Sequence, residues 1–297
     1  MLSAAIILPG DAEMLPYYSL RSIEGVEWDG IFYSGYKEHN TYDRTLYFPS
    51  PEIIPSMCDL LIVVDPYFCT FDYLSFAIRN GCHLFLSDKL RLTTDERKQL
   101  IHLASEGGTY IQIQNDFLFN HFQEKIRNQC NRTCFIEASQ SSTAKPDRLN
   151  ELLLNNLLMI LRVAGSPVHK INVYCGTIPS GQPYVLNIHL NFKNGSVASF
   201  TLKFIEQQEK HILSIHAVGQ ITTIDFLKNN ISHFPQKILK GVWSKTSPDP
   251  LQEQITGFIR NITEKNNPGF SLDDEIQVFL LMEKIREKIY SNSFAMQ

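Results

Sequence analysis

The chain has 297 residues, 43% of them hydrophobic and 20% charged, which is ordinary globular composition and enough length for about two domains. Its net charge is −4 and it has no basic stripe, which argues against nucleic acid as a partner, and no apolar run approaches the ~20 residues of a membrane span. The six cysteines form no Cys-x-x-Cys pair, and no basic region precedes the first apolar stretch. These features predict reduced thiols and a cytoplasmic protein without a membrane partner.

The first part of the chain alternates short apolar strands with helices. Strands are predicted at 3–8, 26–33, 59–64, 82–86 and 110–114. Helices are predicted between them at 12–24, 51–57, 70–80 and 95–106, with glycine at several of their ends. Such alternation predicts βαβ units, and hence a doubly wound parallel sheet in a first domain over 1–118.

The pattern changes after a helix predicted at 147–164. The strands predicted beyond it are short and alternate apolar with polar residues, at 169–174, 184–192, 196–204 and 211–217. The polar segment 139–143 is predicted to be a loop, and helices at 251–264 and 272–291 close the chain. We therefore predict a second domain over 119–297 with an open, mostly antiparallel sheet and helices on one face. The final helix is expected to pack back on the first domain.

Several segments resemble the Gfo/Idh/MocA family of dehydrogenases. They are Val63-Val64-Asp65-Pro66, His83–Thr93, Leu161–Val168 and the C-terminal Asn267–Asp274 with the helix that follows. Their order and spacing resemble those of the family over nearly the whole chain. The resemblance implies a Rossmann-like dinucleotide-binding domain first and an open-sheet domain second. It also implies NAD or NADP as cofactor, a sugar-like or polyol ligand, and a homo-oligomer formed through the open sheet.

The cofactor positions implied by the resemblance depart from the family pattern. A dinucleotide-binding turn carries three glycines, which let the backbone approach the pyrophosphate. Here the turn reads Leu8-Pro9-Gly10-Asp11-Ala12-Glu13, and Gly10 is the one glycine left. Tyr33 aligns with the carboxylate that holds the ribose, and Asp65 and Pro66 align with the end of the third strand. Two acidic residues at the expected phosphate position predict weak dinucleotide binding.

The catalytic positions depart as well. The family's lysine aligns with Asp88 when the segment is counted from Gly81, and Lys89 follows; a one-residue bulge would return Lys89 to the site. The family's Asp and His lie four residues apart on one helix face and align with Glu151 and Asn155. An amide transfers no proton near neutral pH, so Asn155 cannot serve as general acid or base.

These replacements leave two functions open. The first is a non-catalytic or strongly diverged relative, a pseudoenzyme that binds a sugar-like small molecule. The second is an active NAD(P)-dependent oxidoreductase that uses Lys89 and Glu151. We favour the first because the glycine turn, the ribose acid, the lysine and the histidine all depart from the pattern. No metal-ligand pattern occurs, so no metal is expected. Apolar Val185, Ile188 and Leu190 in a predicted open sheet favour assembly through that sheet.

Overall fold

The computed structural model divides the chain into two units. The first contains Met1–Phe119 and Pro248–Ile276, and the second contains Asn120–Ser247 and Gln277–Gln297. The residues that the structure describes are 1–9, 23–34, 50–87, 90, 92–115, 133–143, 148–177, 183–204, 209–228, 230–234, 237–239, 250–266 and 271–294.

The described strands of the first unit form one parallel sheet. They are β1 (Leu2–Pro9), β2 (Val26–Ser34), β3 (Leu60–Val63), β4 (His83–Leu86) and β5 (Ile111–Ile113). Their spatial order is β2-β1-β3-β4-β5, and every neighbouring pair is parallel. Strand β2 lies on one side of β1 and β3 lies on the other, so the strand order reverses next to β1. Ligands of doubly wound sheets bind outside the carboxyl ends of the strands at such a reversal.

Five α-helices are described in the two units. They are α1 (Phe71–Arg79), α2 (Thr94–Gly107), α3 (Leu149–Ala164), α4 (Pro250–Thr263) and α5 (Leu272–Phe294), and a short 3-10 helix spans Pro51–Ser56. The start of α2 shows why the sequence begins a helix there. Thr93 accepts from the backbone N–H of Glu96, whose carboxylate in turn accepts from the backbone N–H of Thr93, 2.7 Å away. This reciprocal cap satisfies two backbone donors that the helix itself leaves unpaired.

Helix α4 belongs to the core of the first unit. Its residues Ile255 and Phe258 are fully buried and share one hydrophobic cluster with Ile6 and Leu60. The ring of Phe258 lies 6.0 Å from that of Phe85 on β4. This burial groups Pro248–Ile276 with the parallel sheet, whereas the division predicted from sequence placed all of 119–297 in the second domain.

A buried ion pair joins α2 to the first turn of α5. Arg97 Nε donates to Glu275 Oε2 at 2.8 Å, and both side chains are almost fully buried. Arg97 also donates to the carbonyl of Leu92. The first turn of the last helix thus belongs to the first unit; packing of its remaining turns on that unit stays a prediction.

The second unit contains an eight-stranded sheet among its described residues. Its strands are β6 (Phe135–Ser141), β7 (Val168–Thr177), β8 (Pro183–Phe192), β9 (Val197–Lys203), β10 (Lys210–Ala217), β11 (Gln220–Asp225), β12 (Asn230–Phe234) and β13 (Lys237–Leu239). The order is β13-β12-β11-β10-β6-β9-β8-β7, and every pair is antiparallel except β6–β9. Helix α3 contacts β6 and β9 on one face. The predicted fold class is therefore confirmed in both units.

Two predictions about this sheet were wrong in detail. Residues 139–141 of the predicted loop belong to β6, because β9 and β10 pair with both edges of that strand. Ile188 and Leu190 do not lie on an open face: they are fully buried, and β8 alternates them with the half-buried Asn187 and His189. In a strand, alternate side chains point to opposite faces, so the outward positions of β8 are largely polar.

Among the described helices, none has the length and apolar character needed to cross a membrane.

Candidate functional site

A buried carboxylate lies where the parallel sheet reverses its order. Ser34 ends β2 opposite Pro9 of β1, and Asp65 follows β3, with its backbone N–H 3.3 Å from the carbonyl of Ile7. The two side chains meet across the end of β1, where the Ser34 hydroxyl donates to Asp65 Oδ2. The other carboxylate oxygen accepts from the backbone N–H of Tyr67 at 2.9 Å. Asp65 is only 5% exposed, and both of its oxygens are bound within the protein.

The described strand ends differ in two ways from those of a dinucleotide-binding site. The pyrophosphate of a dinucleotide would lie at the end of β1, next to the buried negative charge of Asp65. In an NAD site, a carboxylate at the end of the second strand usually binds the ribose hydroxyl. There the last residue is Ser34, and the nearby Asp65 already has both oxygens engaged. A buried carboxylate therefore lies beside the end of β1, and β2 does not end in the carboxylate that usually holds the ribose.

An aromatic cleft opens beside this carboxylate. It has a volume of about 560 Å³ and is lined by Pro66, Tyr67, Phe68, Thr70, Asp72, Tyr73 and Phe76. The ring of Phe68 makes edge contacts with Phe32, Tyr67 and Tyr73 at centroid distances of 5.7, 5.3 and 5.4 Å. The Tyr73 hydroxyl donates to the Pro51 carbonyl at 2.9 Å. Burial raises the pKa of that phenol, so it remains neutral.

The second unit carries the helix on which the family positions Glu151 and Asn155 fall. Glu151 is exposed, and its carboxylate receives two hydrogen bonds from Arg148, one of them from Nε at 3.0 Å. The hydrogen bonds from Arg148 lower the pKa of Glu151. Asn155 is half-buried one turn further along α3. Neither side chain supplies a group that changes charge near neutral pH.

A neutral hydrogen-bond network lies under the same helix. Asn156 is fully buried, and its Nδ2 donates to Gln140 Oε1 at 2.6 Å and to the Leu152 carbonyl at 2.7 Å. Its Oδ1 lies 3.2 Å from His211 Nε2. The amide oxygen of Asn156 can only accept a hydrogen bond, so the donor must be His211 Nε2. We therefore assign the His211 tautomer that carries a proton on Nε2. The His211 ring packs 4.5 Å from that of Phe226.

Burial also fixes the charge state of this histidine. It lowers the pKa of His211 to about 4, with a smaller opposing effect from Asp225. The ring is therefore neutral at physiological pH and serves as a hydrogen-bond donor. Among the residues that the structure describes, no group of three or more potential ligands is placed to hold a metal ion.

Solved structures match almost the full chain, although no protein-family model and no curated protein sequence does. UDP-N-acetylglucosamine 3-dehydrogenase from Acidithiobacillus ferrooxidans is 17% identical with a TM-score of 0.74, over 97% of each chain. A dehydrogenase from Clostridium difficile is 16% identical with a TM-score of 0.71, over 96% of this chain and 99% of that one. An NAD binding oxidoreductase from Klebsiella pneumoniae is 10% identical with a TM-score of 0.74, over 98% and 97%.

The chain has the two-domain fold of the Gfo/Idh/MocA dehydrogenases. The fold implied by the sequence resemblance is thereby confirmed. TM-scores of 0.71–0.74 establish the shared fold, and identities of 10–17% leave the chemistry to be argued from the residues.

The structure describes part of the site expected for a Gfo/Idh/MocA dehydrogenase. Gly10, Asp88 and Lys89 lie outside the described residues, as does the side chain of Tyr33, whose backbone lies in β2. The other predicted residues are described in two places: Asp65 and Pro66 beside the aromatic cleft, and Glu151 and Asn155 on α3.

Sequence reasoning missed two features of the site. One is the aromatic cleft, whose only sequence signal is the density of Tyr and Phe between 67 and 76. The other is Asn156, which is fully buried and was not among the predicted site residues. Its position was visible in the pattern, since Asn156 lies four residues after Leu152 and four before Ile160, both of them buried.

Proposed function

We propose that the protein is a diverged member of the Gfo/Idh/MocA family that binds a small molecule and does not transfer hydride to or from NAD(P). The observation that carries the proposal is the pair of side chains at the family's acid–base positions. Glu151 forms a two-hydrogen-bond ion pair with Arg148, and Asn155 is an amide. Oxidation of a substrate hydroxyl needs a group that can take up its proton near the working pH. Neither residue meets that requirement.

The predicted cofactor positions in the first unit support the same conclusion. Asp11 and Glu13 fall in the segment that the resemblance aligns with the pyrophosphate-binding turn, and Asp65 adds a buried carboxylate beside the end of β1. Each full charge left unpaired beside a bound anion costs on the order of 1–3 kcal/mol. Together these charges predict NAD(P) affinity too weak for a resident cofactor.

Removal of the two acidic side chains at positions 11 and 13 tests this proposal. We expect the double substitution Asp11→Gly, Glu13→Gly to increase NADH binding, because it removes two negative charges and restores backbone freedom. Lys89→Ala and Asn155→His serve as matched variants that leave the turn unchanged, and each should improve binding less. The measurement is NADH titration by calorimetry for all four proteins. Equal affinities across the set would contradict the proposed role of the acidic turn.

A second candidate is an active NAD(P)-dependent oxidoreductase of a sugar-like or polyol substrate, with Lys89 and Glu151 as its catalytic residues. The observation in its favour is that the similar solved structures are dehydrogenases, one of which acts on UDP-N-acetylglucosamine. Its test is reduction of NAD or NADP in the presence of that sugar nucleotide. This candidate requires turnover in the unmodified protein and its loss in Lys89→Ala, whereas the favoured proposal expects no turnover in either.

We also propose that the protein assembles into a homo-oligomer through the eight-stranded sheet. Phe135, Ile221 and Phe234 are exposed and lie in one row across β6, β10, β11 and β12, joined in register through His216. Such a row of exposed apolar side chains is unfavourable in water. Light scattering at micromolar concentration should show a dimer or larger species, and Phe234→Lys should reduce its size. A monomeric unmodified protein would rule the proposal out.

A further inference from the structure

The aromatic cleft of the first unit presents ring surface to solvent. Tyr67 is 74% exposed and Phe76 43% exposed, and both line the cleft at the carboxyl end of β3. Large aromatic side chains grouped in this way on a protein surface commonly mark a binding site. The cleft also lies beside the point where the sheet order reverses, which is the usual ligand position in doubly wound sheets.

Three of the residues that line the cleft, Tyr67, Phe68 and Tyr73, are held in place before any ligand arrives. Hydrogen bonds from the Tyr67 backbone to Asp65 and from the Tyr73 hydroxyl to Pro51 fix the turn and one ring. Phe68 then packs by its edges against the rings of Tyr67 and Tyr73. A site ordered in this way loses little conformational freedom on binding.

The charge of the cleft selects the ligand. Among the lining residues that the structure describes, Asp72 alone is charged, and it is exposed. The faces of aromatic rings carry partial negative charge and attract cations. We propose that the aromatic cleft binds a small organic cation, whose alkylammonium group contacts the rings of Tyr67 and Phe76 and is neutralised by Asp72. The proposal rests on the proposed function in one respect, since a dinucleotide bound at this sheet edge would compete for the cleft.

An isosteric pair of probes separates cation binding from apolar binding. Choline and 3,3-dimethylbutan-1-ol have nearly the same shape, but only choline carries a positive charge. We expect choline to bind the full-length protein about 5- to 30-fold more tightly than the alcohol, as measured by calorimetry or by ligand-observed NMR. Equal affinities, or no binding of choline, would overturn the proposal.

Two substitutions with matched controls locate the bound probe. Tyr67→Leu keeps apolar volume and removes the ring, and Asp72→Asn removes the charge; each should weaken choline binding about 2- to 5-fold. Tyr174→Leu controls for loss of an exposed tyrosine. Asp95→Asn controls for loss of a carboxylate in the first turn of a helix, where the helix dipole favours negative charge. Controls that weaken choline binding as much as Tyr67→Leu and Asp72→Asn would overturn the assignment.

An NADH titration of the same protein distinguishes failure of this inference from failure of the proposed function. Tight NADH binding that choline does not affect would contradict the proposed function and leave the cation site standing. If neither choline nor NADH binds, the cation site is overturned and the proposed function stands.

Discussion

The two units bury their polar groups in different ways. In the first unit the buried polar groups include charged ones, Arg97 paired with Glu275 and Asp65 at the sheet edge, as well as neutral ones such as Gln112 and Gln254. In the second unit they are neutral, with the amide of Asn156 bonded to the uncharged ring of His211. Breaking a buried ion pair leaves an unpaired charge, whereas breaking a neutral network leaves only an unpaired dipole. The comparison therefore predicts a larger loss of stability from breaking the buried ion pair of the first unit than from breaking the neutral network of the second.

The largest effect is expected at the buried ion pair. Glu275→Ala should lower the free energy of unfolding by about 3–5 kcal/mol, because Arg97 then remains buried without its carboxylate. Urea denaturation followed by circular dichroism gives the value. The exposed Lys98–Asp95 pair on the same helix is the control, and Asp95→Ala should change stability by about 1 kcal/mol or less. Similar losses in the two variants would remove the distinction between buried and exposed pairs.

A smaller effect is expected from the neutral network. Asn156→Ala should lower the free energy of unfolding by about 1–3 kcal/mol, because Gln140 and His211 each lose a hydrogen-bond partner. Asn155→Ala, at the half-buried neighbouring position, should change it by no more than about 0.5 kcal/mol. The comparison uses the same urea denaturation. A greater loss of unfolding free energy in Asn155→Ala would show that the buried hydrogen-bond network does not account for the difference between the two variants.

The dependence of folding stability on pH gives a further test of this comparison. The pKa of His211 is lowered to about 4 in the folded state from 6.5, so the unfolded chain binds the proton more readily. Its contribution to stability is therefore complete above pH 6.5 and is lost as the pH falls towards 4, by up to about 1.4 kcal/mol per pH unit. His211→Gln should flatten the slope of stability against pH in that window. An unchanged slope would show that other groups account for it.

The sequence predicted the first sheet better than the second, for a physical reason. Each strand of the parallel sheet is a short apolar run, and each was predicted to within one residue at either end. Strand β6 was not predicted, and its last residues were assigned to a loop, because Ser139, Gln140 and Ser141 are all polar and because its pairing depends on β9 and β10, which follow it at long range. Local periodicity cannot report a strand whose identity depends on distant partners.

The sequence predicted where the candidate site residues lie in the strands and helices, but not all of the contacts between their side chains. The sequence placed Asp65 at the end of β3 and Glu151 early in α3, and both lie there. It could not predict the Ser34–Asp65 hydrogen bond, because those residues meet only through the strand order around β1. The Glu151–Arg148 pair, by contrast, follows helical spacing of three residues and was available from the sequence.

The most direct test of the central claim is calorimetric titration of the unmodified full-length protein with NADH and with NADPH. The buried Asp65 and the acidic residues Asp11 and Glu13 predict weak binding or none of either cofactor at concentrations where a resident cofactor would saturate its site. Low-micromolar affinity for either one would contradict the account, and Lys89 and Glu151 would then become the residues to test for catalysis.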